Sequence, residues 1–280
     1  MRGVELLRLP NVRNSLVNDT LKEIRRRIGR ELEEIATKEL VISVGYTAVH
    51  TSSDDVGLAY TPLLDFSHES CSLFSRAGTF TRMSAVELAE LALSWDLSER
   101  VAGIAALNAL SQLAMKTKGD DITKKYGDAI DLTKIRKNDT VVMIGNMRPS
   151  VEKLRRLARE VLVLERNIGL RDKDTFPDTA AEAVIPRGDV VFITGATLCN
   201  GTADRILELS KNAREVVMLG ASAGIFSPSL FERGVTGVGP MEIFDTGKAM
   251  QAISQGGGTR ALLNKSARFV FYEPRIRRKK

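Results

Sequence analysis

The run Thr194-Gly195-Ala196-Thr197-Leu198-Cys199-Asn200-Gly201-Thr202 carries three hydroxyls, one thiol and one amide within nine residues, and its two glycines open the backbone. Hydroxyls, an amide and free backbone N–H groups in one loop could converge on an anionic or chelating ligand. Thr202 or Asn200 could instead cap the helix that follows, which would leave Thr194 and Thr197 unexplained. Cys199 reads either as a small buried hydrophobe or as a nucleophile or soft metal ligand, its pKa lowered by that helix. A second loop, Gly145-Asn146-Met147-Arg148-Pro149-Ser150, has a glycine for close backbone approach and a Pro-Ser pair able to start a helix. Glu165 follows Gly145 by twenty positions, where a ribose-binding acid stands in dinucleotide and S-adenosylmethionine sites; a surface acid paired with Arg166 is the alternative. In Gly220-Ala221-Ser222-Ala223-Gly224, small residues either admit a bulky ligand or another domain, or make a tight turn. Gly256-Gly257-Gly258 reads as a helix stop and loop, with a phosphate cradle as the other reading.

Several chemistries lack their residues. The sequence contains no GxGxxG fingerprint, GxSxG elbow, HExxH motif or P-loop lysine. With two histidines, His50 and His68, a multi-histidine metal cage is excluded, and the local group of mixed donors is His68, Glu69 and Cys71. A bound metal would then need oxygen, backbone or ligand-borne donors.

The elements that position these loops repeat as strand and helix from about Lys137. Strands are predicted over 140–144, 161–164, 190–193 and 215–219, and helices over 151–160 and 202–210. Short apolar strands between amphipathic helices imply a parallel sheet with right-handed crossovers. Ligands of such sheets lie beyond the carboxyl ends of the strands, where all three loops fall. Further on, 245–254 reads as a helix capped by Asp245. The first half differs. An apolar spacing of three or four predicts a helix over 15–39, and 39–51 with 56–62 reads as an antiparallel hairpin. A loop over 65–81 and helices over 84–93 and 98–115 follow, Ser84 and Glu87 forming a capping box. Residues 119–138 are charged and read as a connector.

The chain has 280 residues, 43% hydrophobic and 27% charged, enough for two domains, placed at 1–136 and 137–280. No apolar run approaches the roughly 20 residues of a membrane helix, and MRGVELLRLP lacks the features of a signal peptide, so a cytoplasmic location is expected. Cys71 and Cys199 are widely separated, which suggests reduced thiols. Part of the net charge of +6 is the terminal group Arg275, Arg277, Arg278, Lys279 and Lys280. A solvated end is favoured there over nucleic-acid contact, because no aromatic interleaving accompanies it. Self-association into a homodimer would be ordinary for such a protein.

The runs 189–202 (DVVFITGATLCNGT), 205–211 (RILELSK), 216–222 (VVMLGAS) and 163–167 (VLERN) resemble the family called the putative heavy-metal chelation domain. The first half, through Gly57-Leu58-Ala59 and 103–110 (GIAALNAL), is similar to that family's enolase-amino-terminal-like partner. The resemblance implies a Rossmann-like parallel-sheet domain after a smaller enolase-like α+β domain, with an interdomain cavity that binds a transition or heavy metal, or a metal complex. The site it implies comprises Glu165, Thr194, Gly195, Thr197, Asn200, Gly220 and Ser222, with Asn108 facing them, beside Gly145 from the loop reading. Ala196 and Ala221 stand where that family commonly has a hydroxyl residue and a proline. An enzyme using S-adenosylmethionine or another nucleotide cofactor is the alternative.

Overall fold

The structure, a computed structural model, describes residues 15–66, 76–117 and 122–275. His68, Glu69, Cys71, Arg277, Arg278, Lys279 and Lys280 lie outside the described residues.

Helix α1 (Leu16–Ile28) starts at Ser15, whose hydroxyl accepts the Asn18 N–H, and buries Leu16, Val17, Leu21 and Ile24. It ends far short of residue 39. Gly29 leaves the helix at φ 73°, a 3₁₀ segment covers Gly29–Glu34, and strand β1 (Thr37–Ile42) follows. Leu32 and Ile35 remain buried, so the apolar spacing persists through a segment that is not α-helical. The expected hairpin is a three-stranded antiparallel sheet of β1, β2 (Tyr46–Thr51) and β3 (Val56–Tyr60). A tight turn around Gly45, closed by Ser43 N–H to the Tyr46 carbonyl, splits the β-branched run in two.

Helix α2 (Ala85–Glu90) carries the expected Ser84–Glu87 capping box. Helix α3 (Leu97–Thr117) is buried at every position from Val101 to Leu110, as a helix packed on several sides must be. Glycine and alanine allow this contact. A Cβ on Gly57 of β3 would stand 2.0 Å from the Ala105 carbonyl, and one on Gly103 would stand 2.0 Å from the Ala92 nitrogen.

Residues 122–138 are not a plain connector. They form β4 (Ile122–Tyr126) and α4 (Ala129–Leu132), and β4 pairs antiparallel with β12 (Ala267–Pro274). Thr123, Lys124 and Lys125 disguise β4, because an edge strand with one solvated face needs few apolar residues.

The larger sheet is mixed rather than wholly parallel, with nine strands among the described residues. Its parallel part contains β5 (Thr140–Ile144), β6 (Glu160–Glu165), β7 (Thr175–Pro177), β8 (Val190–Thr194), β9 (Glu215–Leu219) and β10 (Gly237–Gly239). They lie in the order β10-β9-β8-β5-β6-β7, and β12, β11 (Met241–Ile243) and β4 extend it with antiparallel pairings. Helices α5 (Arg148–Leu157), α6 (Ala181–Val184), α7 (Ala196–Cys199), α8 (Ala203–Leu209) and α9 (Ser227–Phe231) occupy the crossovers, and α10 (Thr246–Ser254) and α11 (Thr259–Leu262) precede β12. Alternate strand residues face opposite cores. Val142, Ile144, Val191, Ile193 and Met218 join the α3 core, whereas Val141, Met143, Val190, Phe192 and Val217 face a second core with Ile130 and Leu154. A smaller antiparallel α+β region thus packs on a larger mixed α/β region. Among the described residues no helix is long and apolar enough to cross a membrane.

Candidate functional site

Four parallel strands end in residues singled out by sequence: β5 at Gly145, β6 at Glu165, β8 at Thr194 and β9 at Gly220. Gly145 adopts φ 94°, and a Cβ there would meet Thr194 Cγ2 at 3.0 Å, so two expected site residues touch across adjacent strand ends. Helix α5 then begins with Pro149 in its first turn. Glu165 is buried, and its two oxygens accept the Asn146 and Asn167 N–H groups, each at 2.7 Å. This carboxylate therefore fixes the loops after β5 and β6, and no pairing with Arg166 is seen. The Arg166 guanidinium instead lies 3.8 Å from Asp65 of the first region.

The loop after β8 spends much of its polarity on itself. Thr197 donates its hydroxyl to the Thr194 carbonyl at 2.8 Å, and the Thr194 hydroxyl accepts the Ala196 N–H at 3.3 Å. Asn200 Oδ1 accepts both the N–H and the hydroxyl of Thr202, at 3.2 and 2.7 Å, an Asx turn leading into α8. Gly195 is required by close packing, because a Cβ there would lie 2.4 Å from the Ala223 nitrogen. Gly220 takes φ 101° as the chain leaves β9.

Ser222 and Asn108 form a seam between the two regions. Ser222 Oγ accepts the Tyr60 N–H at 2.7 Å, while Asn108 Nδ2 donates to the carbonyls of Leu58 at 2.6 Å and Ser222 at 3.1 Å. Both residues are buried, and Asn108 Oδ1 has no hydrogen-bond partner among the described residues. The expected residues thus separate into an edge group of Gly145, Glu165 and Thr194, and a packed seam of Gly195, Ser222 and Asn108.

Cys199 sits beneath this seam, and the expected lowering of its pKa is reversed. Burial pushes the thiol up to about 11, outweighing the Ser222 hydroxyl and the Arg100 guanidinium. Cys199 is the last residue of α7, a helix end whose dipole disfavours a thiolate, and α8 begins only at Ala203, so no helix amino terminus offsets the desolvation. At neutral pH the native thiol should hold about two orders of magnitude less thiolate than an ordinary cysteine of pKa about 8.5. Iodoacetamide labelling, followed on the Cys199 peptide by mass spectrometry, should accordingly be slow in the folded protein and fast in urea. Rapid labelling of the native state would contradict the buried assignment.

Sequence reasoning missed Tyr60, the last residue of β3, which is 38% exposed. Partial burial raises its pKa, and the negative charges of Glu165 and Asp65 raise it further, which brings a phenol from the first region near the strand-end carboxylate. Arg100 was also missed; its Nε donates to the Leu198 carbonyl at 3.0 Å, and a Cβ on Gly201 would touch its guanidinium at 3.3 Å. Nothing in the local sequence marks either residue, since both act across the junction of the two regions. His50 is structural in kind, its Nε2 lying 2.9 Å from Asp54. Among the described residues no group of three or more His, Cys, Asp or Glu side chains is arranged to hold a metal ion.

A family model described as "Putative heavy-metal chelation" (DUF364) matches residues 128–271, and a second with the same description (DUF4213) matches residues 25–111. An uncharacterized protein of Methanocaldococcus jannaschii is 33% identical over 168 residues, which span 59% of this chain and 62% of that relative's length. The crystal structure of a DUF364-family protein of unknown function from Pyrococcus horikoshii superposes with a TM-score of 0.76 at 25% identity, covering 91% of this chain and 99% of that one. A protein of the same family from Desulfitobacterium hafniense, at 20% identity and covering 92% and 98%, shares the fold with a TM-score of 0.70. Matched over more than half its length by the first model and over much of its amino-terminal half by the second, the chain belongs to the DUF364 family, with a DUF4213 region before it.

Proposed function

We propose that this protein binds a small anionic chelate, a metal ion carried in a complex with its own oxygen or nitrogen donors, at the carboxyl edge of the parallel sheet. The observation that carries the reading is the contact of Gly145 with Thr194. Taken from the other edge, the parallel strands run β7-β6-β5-β8-β9-β10, so the order reverses between β5 and β8. That order supports a Rossmann-like reading of the sheet, and ligands of such sheets occupy the crevice at the switch point. Gly145 and Thr194 end those two strands. The three-stranded sheet followed by helices supports an enolase-like reading of the first region, which contributes Tyr60 to the same edge.

The described side chains do not by themselves fit a heavy-metal centre, for want of three suitable donors in one place. That favours a ligand bringing most of the coordination sphere, with Tyr60, Thr194 and backbone N–H groups recognising its periphery. Calorimetry on the full chain with Ni²⁺ alone, citrate alone and nickel citrate tests this. Nickel citrate should bind and the separate components should not, and Thr194→Val and Tyr60→Phe should each weaken binding by about tenfold or more. The urea midpoint should stay unchanged for Tyr60→Phe and drop slightly for Thr194→Val, from the lost Ala196 N–H contact. Tight binding of bare Ni²⁺ would replace the proposal with a protein-supplied centre, and no binding of any arm would remove it.

A second reading, a nucleotide cofactor such as S-adenosylmethionine, is favoured by Glu165 at the end of the second parallel strand. Against it, both carboxylate oxygens already accept backbone N–H groups. Saturating S-adenosylmethionine or NAD at 100 times Kd would stabilise the native state by about 2.7 kcal/mol. No rise in Tm with either cofactor would count against this reading.

A further inference from the structure

A cavity of about 370 Å³ lies where the last turns of α3 meet the antiparallel extension of the large sheet, and of the strand-end residues discussed above Gly224 alone lines it. Its volume falls within the ordinary range for a small-molecule site. Met115 of α3, Ile122 of β4, Ile225, Met241 of β11 and Val270 of β12 make its walls apolar. Ile225, Met241 and Val270 are buried, so these walls belong to the packed core and are not a loose surface dimple.

Polar groups are few and specific. Ser227 is 1% exposed and its hydroxyl has no hydrogen-bond partner among the described residues. Gln112 commits its amide nitrogen to the Val56 carbonyl at 2.6 Å, leaving its oxygen. The Tyr272 phenol likewise has no hydrogen-bond partner among the described residues, and burial pushes its pKa up to about 12, so it stays a neutral donor. Charge gathers around the lining. Lys124 pairs with Glu242, but that carboxylate also accepts Arg268 Nε at 2.7 Å, and Lys116 pairs with Asp55 at 2.6 Å. Among the groups that line the cavity, two cations, Lys116 and Lys124, face one carboxylate, Glu242, an excess of one positive charge.

From the apolar walls, the unpartnered hydroxyls and this charge we infer that the cavity is a binding site for an amphipathic monoanion, an aromatic or branched apolar body bearing one acidic group. The body fills the space between Met115 and Val270, and the anion lies towards Lys124 and Lys116. Ser227 and Tyr272 offer hydrogen bonds that water would otherwise supply. Such a molecule differs in kind from a polar chelate, so this site stands whether or not the switch-point proposal does.

Fluorescence titration of the full-length protein with 8-anilinonaphthalene-1-sulfonate and with N-phenyl-1-naphthylamine, the same body without its sulfonate, tests both halves of the inference. The sulfonate should bind saturably with one-to-one stoichiometry and at least about tenfold more tightly than the neutral probe. Met115→Trp should weaken both probes by more than about tenfold by filling the cavity. Lys124→Met, which leaves Glu242 paired with Arg268, should abolish the preference for the anion. Val270→Phe fills the space from the opposite wall and serves if Met115→Trp fails to fold, as judged by circular dichroism and the urea midpoint. Absence of saturable sulfonate binding, or unchanged binding in a folded cavity-filling variant, would overturn the site. Equal affinity for the two probes, or an anion preference that survives Lys124→Met, would overturn the anionic assignment.

Discussion

Gly57→Ala should cost more than about 4 kcal/mol and leave the protein largely unfolded or insoluble, although it adds one methyl group. The added Cβ would stand 2.0 Å from the Ala105 carbonyl oxygen, 2.3 Å from the Ala109 nitrogen and 2.9 Å from the Asn108 carbonyl carbon. All three are main-chain atoms of α3, so no rotamer change relieves the overlap; β3 and α3 must separate. That separation would also pull Asn108 from the Leu58 carbonyl. Gly247→Ala is the control. It lies in the first turn of α10, and the nearest atom to its added Cβ is a side-chain oxygen at 3.9 Å. There the same substitution should be neutral or stabilising by up to about 1 kcal/mol. Urea unfolding of the two variants and the parent provides the comparison, and a Gly57→Ala protein within about 1 kcal/mol of the parent would refute the close packing.

Asn108→Asp should lower stability by about 3–5 kcal/mol at neutral pH, despite nearly identical shape. The parent amide donates to two carbonyls; an ionised carboxylate would face both with acceptors only, in a site 1% exposed. The variant can satisfy at most one of them, by keeping a proton. Its folded-state pKa must then rise above the unfolded value of about 3.9. Between those two values the native state holds one more proton than the unfolded state, so stability falls as pH rises, by up to about 1.4 kcal/mol per unit. Below pH about 4 both states are protonated and the pH-dependent part of the penalty disappears. Urea midpoints from pH 4 to 8, compared with the parent, measure it. A pH-independent difference would mean that the side chain is solvated and not a bolt between the regions. Probe binding at low pH, where this variant folds best, then separates a packing role for Asn108 from ligand contact.

Four of the nine described strands of the large sheet, β5, β6, β8 and β9, were legible in the sequence. The strands at 140–144, 190–193 and 215–219 are short apolar runs buried on both faces, and the loops after them carry residues that an ordinary turn does not need. Glu165 was legible as the acid after the second parallel strand, and Asn200 as a residue that shapes the start of α8. Local chemistry sufficed in these places. The strand β4 was not legible, because its lysines serve a solvated edge, and α1 was overextended because Leu32 and Ile35 keep the apolar spacing beyond Gly29.

The sequence by itself determined the alternation of strands and helices, the residues at the strand ends and the absence of a histidine cage, since each depends on residue type and near-neighbour spacing. Only the tertiary structure decided which strand-end residues meet: Gly145 with Thr194 at the edge, and Asn108 with Ser222 in the seam, 114 residues apart. It also decided that Cys199 is a buried thiol whose pKa is raised by desolvation, and that the phenol of Tyr60 from the first region feels the charge of Glu165. The reason is physical. Desolvation, backbone close approach and long-range charge depend on what the rest of the fold brings alongside a residue, which its own neighbours in the chain do not specify.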